Sequence, residues 1–89
     1  MDQLTWNEQM LDPRRCSPGF KPLLVQVGLR ANAQGHFELG DLQLRQMAKH
    51  LGCSLVDVIT KIERVEQEGW LKDLDRSFGR LVGHLSVPD

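Results

Sequence analysis

Apolar residues recur with helical spacing in two neighbouring segments of the chain, 41–51 and 54–68. In the first segment, four residues fall at i, i+3, i+4 and i+7: Leu44, Met47, Ala48 and Leu51. In the second, three residues lie along one side of a helix: Val58, Ile62 and Val65. This spacing predicts two amphipathic helices. Gly52 is placed to end the first, and the Ser54 hydroxyl is placed to cap the second.

Residues 20–32 allow two interpretations. Pro22 suits the first turn of a helix, and four residues then follow helical spacing: Leu24, Val27, Gly28 and Ala31. Val25, Val27 and Leu29 also alternate, as in a strand that pairs with residues 36–39. We expect a helix, because Leu23 and Leu24 continue the apolar surface around it.

Strand signals stand on both sides of the two amphipathic helices. Residues 36–39 alternate polar and apolar side chains, as a half-buried strand does. Gly69 is expected to end the helix that precedes it, residues 70–74 read as a strand and 75–79 as a turn. Residues 80–87 then supply a second strand. The predicted order is helix, strand, helix, helix and a hairpin.

Residues 1–19 read as an extension outside the core, which leaves 20–89 as the folded domain. Thr5 and Glu8 fit a capping box, which predicts a short helix over residues 5–11. Residues 16–19 read as an irregular linker. Two alternatives remain for this segment. It is a frayed tail, or its apolar side chains dock on a neighbouring subunit: Leu4, Trp6, Met10 and Leu11.

Length and composition favour a small globular domain. The chain has 89 residues, 40% hydrophobic and 26% charged, with a formal net charge of −1, and this length suits one domain. Its longest apolar runs are three residues, so we expect no contact with a membrane. The first residues lack the basic start and apolar stretch of a signal peptide, which predicts a cytoplasmic protein. Cys16 and Cys53 are then expected to be free thiols.

The sequence carries no convincing catalytic or metal-binding set. His50 and Cys53 form a His-x-x-Cys pair, but a zinc site needs more ligands at recognisable spacing. The other soft ligands, Cys16, His36 and His84, are scattered along the chain. We therefore expect a protein that is not an enzyme and needs neither metal nor cofactor.

Two segments, LRQMAKHLGCS at 44–54 and VITKIERVEQEGWL at 58–71, carry a family resemblance. They resemble the winged helix-turn-helix domains of bacteria and phages, with Val65-Glu66 standing for the leucine-glutamate pair of the family pattern. Two helices joined by a three-residue turn are the core of that motif. The resemblance covers residues 20–87. It implies an α+β, mainly α fold, with three helices and a small antiparallel sheet that includes a wing hairpin.

The resemblance also implies a DNA-contacting surface on helix 54–68 and wing 72–85. In such domains one helix enters the major groove while the wing touches the flanking backbone or the minor groove. Carried over by position, the base-reading residues are Val56, Asp57, Thr60, Lys61 and Arg64. Ser54 would contact a phosphate, and the wing contacts would come from Arg76, Ser77 and Arg80.

The charge of helix 54–68, which the resemblance places against the bases, leaves two functions open. Residues 54–68 hold two basic and four acidic side chains, a net charge of −2, which opposes binding to phosphates. The first expectation is a sequence-specific double-stranded DNA-binding protein, a transcriptional regulator that acts as a homodimer. The alternative is an adaptor that binds a protein partner through an apolar patch: Trp6, Leu55, Ile59 and Phe78. Phe78, at the hairpin tip, either folds back onto the sheet or faces a partner.

Overall fold

The computed structural model describes residues 1–77 and 79–88. This part of the chain forms four helices and one three-stranded antiparallel sheet. The elements are α1 (Gln3–Leu11), α2 (Lys21–Leu29), β1 (His36–Leu39), α3 (Asp41–Leu51), α4 (Leu55–Gln67), β2 (Leu71–Ser77) and β3 (Arg80–Leu85). The α+β class predicted from the sequence is confirmed.

The sheet has the strand order β1-β3-β2, so the last strand of the chain lies in the middle. β3 pairs with β1 from His36 opposite His84 to Leu39 opposite Leu81. Alternate side chains of the strands turn toward the helices, because successive residues of a strand face opposite sides. Phe37, Leu39, Leu81 and Leu85 are buried there. The core therefore lies between the helices and one face of the sheet.

The turn between α3 and α4 has the predicted form. Gly52 adopts a left-handed conformation with φ 67°, which glycine tolerates without steric cost. The Cys53 N–H donates to the carbonyl of Ala48 at 3.1 Å. The Ser54 hydroxyl accepts from the Asp57 N–H at 3.1 Å and so caps α4. These bonds stop one helix and start the next within three residues.

Residues 21–29 form a helix, as the preferred interpretation predicts, rather than a strand. Pro22 stands in its first turn, and the buried side includes Leu23, Leu24 and Val27. Ala31 lies beyond the end of the helix, where it makes a single β-bridge to Phe37. The chain thus passes directly from α2 into the sheet.

The N-terminal helix begins earlier than the sequence pattern predicts. α1 starts at Gln3, and the Asp2 carboxylate accepts from the Thr5 N–H at 2.9 Å and from the Thr5 hydroxyl at 3.0 Å. These hydrogen bonds hold the pKa of Asp2 below its usual value. Thr5 is therefore a residue of the first turn, and its predicted role as the cap is wrong.

The prediction that residues 1–19 lie outside the core is also wrong. Trp6, Met10 and Cys16 are buried, with Trp6 fully enclosed. The Trp6 indole N–H donates to the carbonyls of Ser86 at 2.9 Å and Trp70 at 3.2 Å. Its ring lies edge-on to that of Trp70, 6.5 Å between centroids, a favourable aromatic geometry.

The hairpin is longer than predicted on its first strand. β2 continues through Ser77, which pairs with Arg80, and residues 75–77 are therefore strand rather than turn. The pairing shifts between Lys72 and Asp75, where Asp73 has φ 56°. This irregularity adds a residue to β2, as a bulge does. Polar residues can form this part of β2, because β2 lies at the edge of the sheet and its outer side faces water.

We expect Trp6→Ala to lower the free energy of unfolding by about 3–5 kcal/mol, since it leaves a cavity in the core. Trp6→Phe should cost about 1–3 kcal/mol, because the carbonyls of Trp70 and Ser86 lose their indole donor. Urea unfolding followed by circular dichroism measures both values. Leu42→Ala is the control, since Leu42 on α3 is 63% exposed. Equal stabilities for Trp6→Ala and Leu42→Ala would contradict the buried anchor.

Candidate nucleic-acid interface

α4 is held to the body of the protein by one side. Val58, Ile62 and Val65 are buried in the core. At 100° per residue, the opposite side of the helix carries what we name the outer ridge: Val56, Thr60, Glu63 and Gln67. All four residues are exposed, and Val56 is 71% exposed. The helix therefore offers a complete outward face along its length.

One flank of α4 is basic and lies beside the start of α2. Lys61 and Arg64 are exposed there, and with Phe20 and Leu23 they help to line a shallow depression of about 310 Å³. The guanidinium carbon of Arg64 stands 5.9 Å from the centre of the Phe20 ring. A cation at this distance is attracted by the ring. We name Lys61 and Arg64 the basic flank.

The other flank of α4 faces the hairpin across a depression of about 480 Å³, which we name the hairpin groove. Its apolar lining comes from Leu44, Leu55, Ile59 and Leu81. Its polar lining comes from Asp41, Arg76, Ser77 and Arg80. A second depression of about 390 Å³ shares Ile59, Arg76 and Leu81 with it and reaches Glu63 and Glu66. Apolar and charged groups thus lie side by side between α4 and the hairpin.

The two hairpin arginines lie on opposite faces of the sheet. Arg76 is directly opposite Leu81, and Arg80 is opposite Ser77. Since paired residues share a face and Leu81 is buried against the helices, Arg76 lies on the side of α4. Arg80 lies on the other face, where its guanidinium forms an ion pair with the Glu38 carboxylate. Only Arg76 is thus available beside α4 without first breaking an ion pair.

The charged side chains of α4 have no ionic partner within residues 1–77 and 79–88. The ion pairs in this part of the chain join Arg14 to Asp12, Arg45 to Asp41, Arg80 to Glu38 and His84 to Asp73. Neither Lys61 nor Arg64 takes part in them. Both cations are therefore free to contact an anionic partner. The carboxylates of Asp57 and Glu63 are equally exposed and would oppose such a partner locally.

The predicted DNA contacts are all exposed, but they do not form one continuous basic surface. Along α4, Ser54 and Asp57 lie at the start, Val56 and Thr60 on the outer ridge, and the two cations on one flank. Arg76 is on the opposite side, across the hairpin groove. Ser77 and Arg80 are paired on the other face of the sheet, near the end of the hairpin, where they also border the hairpin groove. The positive charge is therefore divided by the ridge that carries Glu63.

The predicted protein-partner patch does not assemble. Trp6 is buried, so it is unavailable on the surface and the prediction is wrong for this residue. Leu55 and Ile59 are half-buried neighbours in the hairpin groove. Phe78 lies outside the described residues. Among the described residues of this patch, Leu55 and Ile59 therefore remain partly accessible at the surface.

Groups suited to metal or redox chemistry are dispersed or enclosed. In the stretches 1–77 and 79–88, no three His, Cys, Asp or Glu side chains are grouped so as to hold a metal ion. Cys16 is buried, which raises the pKa of its thiol and disfavours the reactive thiolate. No helix in the same part of the chain is both long and apolar enough to cross a lipid bilayer.

Sequence reasoning missed two contributors to this region. Glu38 pairs with Arg80 from the neighbouring strand, and Asp41 lines the hairpin groove from the start of α3. The alternation in residues 36–39 puts Glu38 on the polar face of its strand, which is a usable signal. The pairing of β1 with β3 was needed to bring this carboxylate to Arg80, and no local pattern specifies that pairing.

Comparison with known proteins adds no family or relative. No protein-family model, no curated protein and no solved structure matches the chain. The geometry of α4 and of its two flanks is therefore the basis on which a role can be assigned.

Proposed function

We propose that this chain is a winged helix-turn-helix domain that binds double-stranded DNA in a sequence-specific manner. Its role would be transcriptional regulation, by occupation of an operator as a dimer. The order of elements supports the assignment: two helices joined by a three-residue turn, then a hairpin beside the second helix. α4 would be the reading helix and β2–β3 the wing. The role is one of binding, without catalysis, cofactor or metal.

The single observation that carries the proposal is the exposed outer side of α4. The helix has 13 residues, which corresponds to roughly 20 Å of length. Its side chains form a rod whose width suits the major groove of about 12 Å. The inner side of α4 is fixed in the core through Val58, Ile62 and Val65, so the outer side would approach DNA with little loss of order.

The residue types on this side have defined chemical uses. Val56 offers methyl groups to the methyl of a thymine, and the Thr60 hydroxyl can donate or accept at a base edge. The Ser54 hydroxyl accepts from the Asp57 N–H, and its own proton remains available to a phosphate oxygen. Arg64 and Lys61 would bind phosphates or guanine, with the Arg64 stem steadied by Phe20.

Electrostatics limits how tightly one copy can bind. The basic flank and Arg76 supply three cations, and α4 also carries three carboxylates, Asp57, Glu63 and Glu66. Arg80 would have to exchange Glu38 for a phosphate. Binding of a single copy is therefore expected to be weak and sensitive to salt, since each phosphate contact releases counterions. Two copies on adjacent half-sites would supply the missing affinity.

We expect Lys61→Ala and Arg64→Ala each to reduce the affinity for DNA by about tenfold, the effect of losing about 1.4 kcal/mol. The probe is a duplex selected from a random library by the wild-type chain, and the measurement is fluorescence anisotropy at several salt concentrations. Arg14→Ala is the matched control, because Arg14 is an exposed arginine paired with Asp12. Its affinity should equal that of the wild type.

The salt series separates contact from loss of fold. Removal of a phosphate-binding cation should lower the slope of log affinity against log salt by about 1, whereas an unfolded fraction would leave the slope unchanged. If selection enriches no duplex, or if the Arg14 and Arg64 variants bind alike, α4 is not a DNA-reading helix.

A second candidate function is supported by the hairpin groove. Its lining combines Leu55, Ile59 and Leu81 with Arg76, and the adjoining depression adds Glu63 and Glu66. An apolar floor with charges of both signs at its edge suits a peptide segment of another protein better than a polyanion. The chain would then be an adaptor that uses the same helix on its opposite flank.

For this adaptor function, Ile59→Asp should abolish stoichiometric capture of a protein from a nuclease-treated lysate of the source cells, because a carboxylate would enter the apolar floor. Leu42→Asp is the control, since Leu42 is 63% exposed on α3 and is not among the lining residues of the groove. Capture that is equal for both variants, or that disappears with nuclease treatment of the wild type, would count against the adaptor.

A further inference from the structure

Within residues 1–77 and 79–88, four of the seven exposed large apolar side chains lie on the first two helices. Leu4 and Leu11 on α1 are 72% and 61% exposed, and Val25 and Leu29 on α2 are 39% and 71% exposed. Scattered apolar residues on a surface are ordinary, but a contiguous group is a mark of an interaction site.

The packing of α1 on α2 brings these side chains together. The helices run antiparallel: the Gln3 amide donates to the carbonyl of Gly28 at 2.6 Å, and the Lys21 ammonium to that of Leu11 at 3.5 Å. A Cβ at Gly28 would lie 2.7 Å from the Trp6 ring, so this glycine is where the helices meet most closely.

The helical positions of the four side chains put them on the same side of this contact. Successive residues of a helix are turned by 100° about its axis. Around the axis of α1, the buried Trp6 and Met10 are followed by Gln3, which faces α2. Leu11 and then Leu4 come next in the same direction. On α2, the same rotation from Leu24 past Gly28 leads to Val25 and then Leu29. Both pairs therefore lie on the outer side of the two-helix layer, away from the core. We name these four residues the α1–α2 face.

The size of this face is appropriate for an interface. The four side chains expose roughly 400 Å² of apolar surface, as much as the largest patch of a typical monomeric protein. A stable dimer buries about 800 Å² on each partner. The α1–α2 face supplies about half of that area, and the polar residues around it would supply the rest.

The charges beside the face identify its occupant. From residue 2 to 11 the charged side chains are Asp2 and Glu8, a net charge of −2. From residue 21 to 30 they are Lys21 and Arg30, a net charge of +2. One helix is thus acidic and the other basic, at equal magnitude. A partner that carried the same two helices would match both when each α1 stacks on the partner's α2.

We infer that the α1–α2 face is the contact between two copies of this chain, related by a two-fold axis that runs parallel to the helices. In such an isologous contact the same patch serves both copies. The α1 of each copy meets the α2 of the other, so this pairing occurs twice in the dimer. The four apolar residues of each copy lie in the contact, with Glu8 between Leu4 and Leu11 on α1. Stacking of α1 on α1 would instead bring like charges together.

This contact leaves the proposed DNA-binding surface free. Leu23 faces the basic flank of α4 from the far side of α2, about 120° around the helix from Leu29. Lys61 and Arg64 therefore stay exposed in the dimer. The inference does not rest on the proposed function, although it supplies the second copy that DNA binding needs.

Sedimentation equilibrium of the full chain tests the inference. The wild type should show twice the mass of the 10.1 kDa chain. Leu4→Glu and Leu29→Glu should each raise the dimer dissociation constant at least about tenfold, as loss of a central interface residue does. Leu42→Glu, at a leucine on α3 that is 63% exposed, should stay dimeric. Circular dichroism checks that all variants keep their helices.

A disulfide experiment then tests the arrangement. Because Leu4 lies level with Leu29 in the antiparallel pair, a mixture of Leu4→Cys and Leu29→Cys chains should form a mixed disulfide faster than either variant alone. The wild type, which carries Cys16 and Cys53, gives the background under the same oxidation. Faster Leu4→Cys homodimers would overturn the stacking of α1 on α2.

Other outcomes overturn the surface itself. A monomeric wild type, or a dimer that persists in both glutamate variants, shows that the α1–α2 face is not the contact. DNA binding is measured separately with the Arg64→Ala variant, so failure of the DNA-binding proposal can be distinguished from failure of the proposed interface. A dimer that selects no duplex would contradict the proposed DNA function but not the interface. A monomer that binds DNA would contradict the interface but not the binding of DNA.

Discussion

The buried indole of Trp6 is the contact on which the arrangement of the whole molecule depends. Its N–H donates to the carbonyls of Trp70 and Ser86, the residues just before β2 and just after β3. Its ring packs against Gly28 of α2 and edge-on to Trp70. One side chain thus joins α1, α2 and the open end of the hairpin. Removal of that donor would take this partner from the Ser86 carbonyl, whereas the Trp70 carbonyl would still accept from the Ser86 N–H at 3.0 Å.

This anchor determines which surfaces remain exposed. Because α1 covers α2 and the base of the hairpin, the apolar positions left over on both helices face outward as one patch. α4 is fixed separately, by its inner stripe and the tight turn at Gly52–Ser54, and its outer ridge faces a different direction. The molecule therefore presents two independent surfaces. The α1–α2 face is apolar, with acidic residues beside α1 and basic residues beside α2. The outer side of α4 is polar, with two cations on one flank.

Charge distribution decides how the second surface can be used. Lys61 and Arg64 stay together on one flank of α4, but Glu63 on the ridge and the hairpin groove separate them from Arg76. Arg80 is turned to the far face of the sheet and held by Glu38. The affinity of α4 for a polyanion must come from Lys61, Arg64 and Arg76, which is a small set. Under the proposed function this shortage calls for two copies, and the α1–α2 face is the surface that we propose for their contact.

The sequence by itself determined the local structure. The periodicity of residues 44–51 and 58–65, the left-handed Gly52 and the Ser54 cap are properties of neighbouring residues, so helix, turn and helix could be predicted with their ends. The alternation at 36–39 predicted β1 for the same reason. Only the tertiary structure decided that Trp6 belongs to the core, that β2 continues to Ser77, that Arg80 meets Glu38, and that Leu4 and Leu29 share a face. The continuation of β2 depends on its pairing with β3 across the hairpin. The other three facts depend on contacts between residues 25 to 80 positions apart, and hydrophobic or electrostatic attraction at such separations leaves no periodic trace in the chain.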